Sequence, residues 1–562
     1  MGRRKARTTG VPAAQRSTAA YDRSSLRQAI VWLVAAKVAG LILIFDPGEL
    51  HAFDLPKSLY SRSIEWLLLG LIGLVLLRYG TGVVPRTRLH LAVLAFLAAN
   101  AASAAVAENT YMALYGDWIR YLGLTFLLDM ATLYAAVAIA FRRDADWLVL
   151  SAAVAVATLV SIGYALVQYA GADPIRWTAD PRVRPFGTLG NPDQFGHLLA
   201  VVASASLAVA ILSTRRPLRV AATAVAVAAI AAASLAATRA VVLGLGAGLL
   251  VLAVVWLRQR RGSGRGVRRA ALALGTSIVV AAAILAITPL GTRLLDTARG
   301  AAVRDRVLIY ESALRMFGDR PLLGFGPDNF GVAYLRYRQP GSEAIFNFQR
   351  HNSAHDWILQ TAVTTGAVGL AALATLIAVF ARSLWALSAR KAVIGGALLA
   401  GLAAYWAQGL LTVGSISVDW SPWVAFGAAA AARGAVPAIG YRRRRAVGMH
   451  VAVAVAALIG AASVGAAFRA STDAKTAALQ TQAGKGPAAV VAAASAVRLD
   501  PGRSEYWVQL GRARALAGSE REAGDAYAEA TTRDPWNADY WQHLAASRAR
   551  LAIAGDRSRG GA

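Results

Sequence analysis

Arg304-Asp305-Arg306, Asp319-Arg320-Pro321-Leu322-Leu323-Gly324-Phe325-Gly326-Pro327-Asp328-Asn329-Phe330 and His351-Asn352-Ser353-Ala354-His355-Asp356 share one polar stretch, from Thr288 to about Gly366, with a long apolar run on each side. That contrast decides the fold. About 20 apolar residues of helix cross a bilayer core, and helix is one of the few conformations that satisfies every backbone group there. A polar stretch this long between two such runs is functional or disordered. Its Tyr310, Phe317, Phe325, Phe330, Tyr334, Tyr337 and Trp357 predict a folded cap.

Outward from this segment the chain of 562 residues is 57% hydrophobic, with repeated apolar runs that exclude a soluble globular protein. The expected class is all-α and polytopic. The first span is drawn at 29–45, and the others at 63–78, 89–107, 119–141, 147–170, 195–213, 220–237, 240–257, 270–288, 357–381, 392–411, 420–432 and 448–467, about 12–13 in all. Residues 1–28 read as a disordered basic cytoplasmic tail, 29–468 as the membrane domain with an extracytoplasmic loop at 289–356, and 469–562 as a separate helical tail.

The net charge of +28 does not imply nucleic acid, because the basic residues cluster in alternate short loops. Arg78/Arg86/Arg88, Arg142/Arg143, Arg215/Arg216/Arg219, Arg258–Arg269, Arg382/Arg390/Lys391 and Arg433/Arg442–Arg445 put about 22 basic residues on one face against about 6 in the short loops opposite. With the N-terminus inside, the long loop and the tail lie outside. Abundant alanine and arginine in excess over lysine suit a GC-rich bacterial genome. The chain has no cysteine, which excludes disulfides, thiolate metal sites and a Cys nucleophile. Lys37 and Asp129 fall mid-span, where an unpaired charge is costly, and are expected to pair.

In the tail, Leu499-Asp500-Pro501 recurs as Arg533-Asp534-Pro535 and Glu505-Tyr506-Trp507 as Asp539-Tyr540-Trp541, at a period of 34. That is the period of the tetratricopeptide repeat. Trp507, Leu510, Gly511, Ala523, Tyr527, Ala530 and Pro535 fall in its phase, while Arg514 replaces a usual aromatic.

Topology alone gathers on the outer side Arg182-Val183-Arg184-Pro185-Phe186-Gly187-Thr188-Leu189-Gly190-Asn191-Pro192-Asp193, the turn Thr238-Arg239, Arg304 and Arg306, and His351 and His355. Guanidinium groups match phosphate oxygens two at a time and stay charged, and histidine accepts a proton near neutral pH. These residues suit a phosphate-bearing lipid substrate. The bland alternative is interfacial charge and helix capping, which is weakest for Arg239 in so tight a turn.

Arg306-Val307-Leu308-Ile309-Tyr310, Asp319 to Phe330, His355-Asp356-Trp357-Ile358-Leu359-Gln360 and Thr365-Gly366-Ala367-Val368-Gly369-Leu370 resemble the O-antigen ligase/polymerase superfamily. Gly187 to Asp193 and Thr238-Arg239-Ala240 resemble its upstream motifs, over roughly residues 150–430. The resemblance implies a glycosyltransferase that moves a glycan from a polyprenyl diphosphate carrier to an acceptor hydroxyl at the outer face of the bacterial cytoplasmic membrane. The family's loop histidine falls on His355 by its spacing to Gly366. The family has Asn directly after it where this chain has Asp356, and His351-Asn352 stands four residues upstream as the other candidate. The implied diphosphate ligands are Arg239, Arg306, Arg184 and Arg304, with His351, Asn352, Asp356 and Asn191 as acceptor-side or supporting residues. No cofactor or metal motif is seen. The implied partners are the lipid-linked donor, a glycan, lipid or protein acceptor, the membrane, and a protein bound through the tail. A polymerase of lipid-linked units, a flippase and a repeat-based scaffold are the alternatives.

Overall fold

The computed structural model describes residues 19–260, 301–339, 351–412, 414–433 and 446–560. The expected span at 270–288, residues 1–18, 340–350, and the basic residues of 261–269 and 442–445 lie outside the described residues. All regular segments described are helical, and among the described residues eight helices are long and apolar enough to cross a membrane.

The membrane part comprises α1 (Ser25–Leu43), α2 (Asp54–Tyr79), α3 (Leu89–Ala105), the short α4 (Thr110–Tyr115), α5 (Leu124–Ala140), α6 (Asp144–Tyr169), α7 (Pro192–Leu212), α8 (Arg216–Ala236) and α9 (Ala240–Gln259). After the first undescribed stretch come α10 (Ala301–Asp319) and α11 (Phe330–Tyr337) in the loop, then α12 (Trp357–Arg390), α13 (Ala392–Gly409) and α14 (Trp420–Ala431). Side-chain oxygens of Ser24, Asn191 and Asp356 cap α1, α7 and α12, satisfying backbone N–H groups that the first helical turn leaves open.

Two expected spans differ. The run drawn from 119 is helical only from Leu124, because Gly116 and Tyr121 take left-handed backbone (φ 92° and 55°) and break the chain into a turn. The run at 420–432 forms a helix of 12 residues, about 18 Å long and too short to cross a bilayer alone. Lys37 and Asp129 do pair, at 2.6 Å, and Ser61 donates to the same carboxylate. In the low-dielectric interior this arrangement offsets the desolvation of both charges.

The last apolar run belongs to α15 (Ala446–Gln482), which continues without a break past residue 468 into the tail. There α16 (Gly486–Leu499), α17 (Ser504–Leu516), α18 (Glu520–Arg533) and α19 (Ala538–Gly560) pack in succession as hairpins. Ala493, Ala496, Tyr506, Leu510 and Ala513 fill one interhelical core, and Val508, Tyr527, Ala530 and Leu544 the next. The tail's turns rest on the segment 107–121. Asn109 donates to the Arg533 carbonyl at 2.6 Å, Trp536 to Glu108 at 3.2 Å, and Tyr111 to Asp500.

Candidate active site

The stretch Pro321 to Gly326 builds the site by threading along a break in α12. Ala367 and Val368 donate backbone hydrogen bonds to the carbonyls of Pro321 and Leu322 (2.8 and 3.2 Å), while Phe325 and Gly326 donate to those of Val363 and Thr364 (3.0 and 2.8 Å). The crossing is possible because Gly366 (φ 66°) and Gly324 (φ 68°) adopt left-handed backbone, and a Cβ on either would strike the other strand's carbonyls. This clasp holds α10, which carries Arg306, against the start of α12, beside which His355 stands.

His355 is half-buried in left-handed backbone (φ 56°), one residue before the cap of α12, and its N–H donates to Ser353 Oγ at 3.1 Å. Burial, then the nearby positive charges of Arg306, His351 and Arg120, push its pKa down to about 4, against an opposing pull from Asp193. The ring is therefore neutral and can accept a proton. His351 lies edge-on to His355 with ring centroids 6.4 Å apart, and edge-on to Tyr334 at 5.5 Å. Burial lowers its pKa as well, with Arg338 adding to the effect.

Arg306 donates from Nη2 to the Leu411 carbonyl (2.8 Å) at the end of α13, while its Nη1 is buried with no hydrogen-bond partner among the described residues. Arg239 ends the turn between α8 and α9, where Ala237 is left-handed (φ 52°), and its Nε is likewise buried and without a partner among the described residues. Buried donors are nearly always paired in native proteins, so these two have the capacity to donate to an anion. Arg184 is already engaged, with Asp193 at 2.6 Å and with the Ala236 carbonyl and Thr238, and it ties the 182–193 segment to the Arg239 turn. Arg304 is exposed.

Two of the supporting residues take helix-end roles. Asp356 Oδ1 accepts from Leu359 N at 2.8 Å, and Asn191 Oδ1 from Asp193 N at 2.8 Å. Asn352 contributes its carbonyl, which accepts from Arg120 at 3.0 Å.

Arg120 itself was hidden in sequence at the edge of an apolar run. It is 8% exposed, lies 3.8 Å from Asp328, and leaves its Nε buried without a partner among the described residues. Asp328 in turn accepts from the backbone N–H groups of Asp117 and Leu122 at 2.8 and 3.0 Å. Burial raises its pKa and Arg120 opposes that shift. A cavity of about 200 Å³ opens beside this pair, lined in part by Asp356, Trp357, Trp406 and Asp419. Lys57 lies in the first turn of α2. It is buried and donates to the Thr188 carbonyl at 2.7 Å, pinning the Gly187-Thr188 motif. Among the described residues no group of His, Asp and Glu is arranged to hold a metal ion.

The site thus sets the neutral His355 near Arg306, in a polytopic helical membrane protein. Residues 224–374 match the family model described as O-antigen ligase, a similarity that supports a glycan-processing membrane enzyme of the ligase or polymerase type. The match covers about a quarter of the chain and includes Arg239, Arg304, Arg306, His351, His355 and Asp356, while Arg184, Asn191 and the tail lie outside it. No curated protein matches the chain.

Proposed function

We propose that this protein transfers a glycan from a polyprenyl diphosphate carrier to an acceptor hydroxyl at the outer face of the bacterial cytoplasmic membrane. The observation that carries the reading is Arg306 standing close enough to His355 to depress its basicity while its buried Nη1, like the buried Nε of Arg239, lacks a partner among the described residues. A diphosphate would complete both.

The acceptor oxygen forms a bond to the anomeric carbon as the bond from that carbon to the diphosphate oxygen breaks. The electron pair leaves on the diphosphate, and the hydroxyl proton passes to His355. Arg239 and Arg306 stabilise the charge that grows on the leaving group, the larger part of catalysis in such a step. The bound diphosphate also offsets the like charge of Arg306 that depresses His355, so donor binding raises the histidine's basicity when it is needed. His351 supports the acceptor side.

The basic loops of α6, α8 and α9 lie at the helix ends remote from the site, which favours an outward-facing site and tail. Cysteines placed at the exposed positions Glu311 and Ala517 should react with an impermeant thiol reagent in whole cells, and labelling only after lysis would reverse the orientation. Purified protein given defined lipid-linked donor and candidate acceptors should release free polyprenyl diphosphate in step with glycosylated product. Release without product would point to hydrolysis instead. The tail, tied to the segment 107–121, is read as an extracytoplasmic tetratricopeptide-like platform for a protein partner.

A further inference from the structure

Where α7, α9 and α13 pack together, three polar side chains are buried: Gln194 and His197 of α7 and Gln408 of α13, which are 9%, 2% and 0% exposed. The His197 ring stacks on Tyr405 with centroids 4.9 Å apart, and its Nε2 lies 3.0 Å from the Tyr405 carbonyl oxygen. A carbonyl only accepts, so Nε2 carries the hydrogen and Nδ1 presents a bare lone pair. That Nδ1 has no partner among the described residues. Neither does Gln194 Oε1, nor either amide atom of Gln408.

These groups belong to one region. Tyr405 and Gln408 stand three apart on α13, as do Gln194 and His197 on α7, so each pair shares a helix face. Gly244 of α9 abuts Gln408, where a Cβ would come to 2.9 Å from Oε1, and Gly196 packs on Thr238 in the turn that carries Arg239. Leu411, whose carbonyl holds Arg306, follows Gln408 by three residues, and Gly409 meets the ring of Trp357, two residues from His355.

Leaving several polar atoms bare inside a helix bundle is costly unless a ligand completes them. The chemistry of the atoms selects the ligand. Phosphate oxygens only accept, so they suit Arg239 and Arg306 but not a floor of bare acceptors. Groups that both donate and accept suit it, and a sugar ring carries several. We propose that Gln194, His197 and Gln408 form a hydroxyl-reading subsite for the sugar attached to the diphosphate, with Nδ1 and the glutamine oxygens accepting from ring hydroxyls and Gln408 Nε2 donating back. This rests on the reading of the Arg239 and Arg306 site as a donor site.

The test uses full-length protein in nanodiscs and two probes, polyprenyl diphosphate alone and polyprenyl diphosphate bearing one N-acetylhexosamine. Wild type should bind the sugar-bearing probe more tightly by roughly tenfold, the size of one or two neutral hydrogen bonds. His197→Phe and Gln408→Leu should erase that difference and leave affinity for the bare lipid within about twofold. Gln408→Met, close in shape, serves if the leucine variant does not fold. Retention of the difference in the variants, no difference in wild type, or equal loss for both probes, as expected if the cluster only holds water or supports packing, would overturn the subsite. Failure of wild type to bind either probe would instead overturn the donor reading.

Discussion

Arg503 in the tail and Arg306 beside His355 are both arginines packed into protein, yet their surroundings differ. Arg503 is 7% exposed, donates to Asp500 at 3.1 Å, and lies over the rings of Tyr111, Tyr121 and Tyr506 at 5.8, 5.1 and 5.9 Å. The phenols and Asp500 hold its pKa well above the usual arginine value despite burial. Among the described residues Arg306 meets one backbone carbonyl and keeps a buried N–H without a partner. A guanidinium completed by protein joins two parts of a fold, whereas one left incomplete keeps binding capacity for a substrate. The tail therefore docks through Arg503, whereas Arg239 and Arg306 keep the donors that the proposed diphosphate would meet.

The sharpest way to break this contrast is at the proton acceptor. His355→Ala should abolish transfer while carrier-linked donor still binds, and His351→Ala should weaken transfer without abolishing it. Single-turnover transfer and donor binding on both purified variants measure this, and a dead His351 variant beside an active His355 variant would exchange their roles. Next in size, Arg239→Lys and Arg306→Lys should lower transfer by about 10²-fold at normal expression, because an ammonium keeps the charge but cannot make a planar two-point contact. Wild-type rates in both lysine variants would remove them from diphosphate binding.

Arg503→Leu probes the other side of the comparison. It leaves Asp500 and the tyrosine hydroxyls without their cation, so the tail should lose about 3 kcal/mol of stability, read by hydrogen exchange in α17. The transfer rate per folded molecule should hold close to wild type. Loss of chemistry with an intact tail would mean that the docked repeats shape the site.

The smallest expected effect is in pH. Since His355 titrates near 4 in the free protein, the acid limb of kcat/KM should fall near that pH. Arg306→Gln removes a like charge and should move the limb upward, toward the ordinary 6.5. The same shift makes the unfolded chain the stronger proton binder between about 6.5 and 4, so native stability falls as pH drops through that window. An acid limb unmoved in Arg306→Gln would separate the two groups.

Residue order alone specified the helical membrane class, most of the spans, and the Lys37–Asp129 pair, because hydrophobic length and the cost of intramembrane charge act locally along the chain. It also brought forward Arg239, Arg306 and His355 as site candidates, through their place at span ends and their motif context. Only the tertiary structure assigned Asp356 and Asn191 to helix capping, since an Asx residue before a helix and an Asx residue in a site look the same in sequence. The crossing of Pro321–Gly326 over the break at Gly366, the buried Arg120–Asp328 pair, and the bare floor of Gln194, His197 and Gln408 were likewise decided there. Each joins residues far apart in the chain, and whether a buried polar atom has a partner depends on what other helices bring to it.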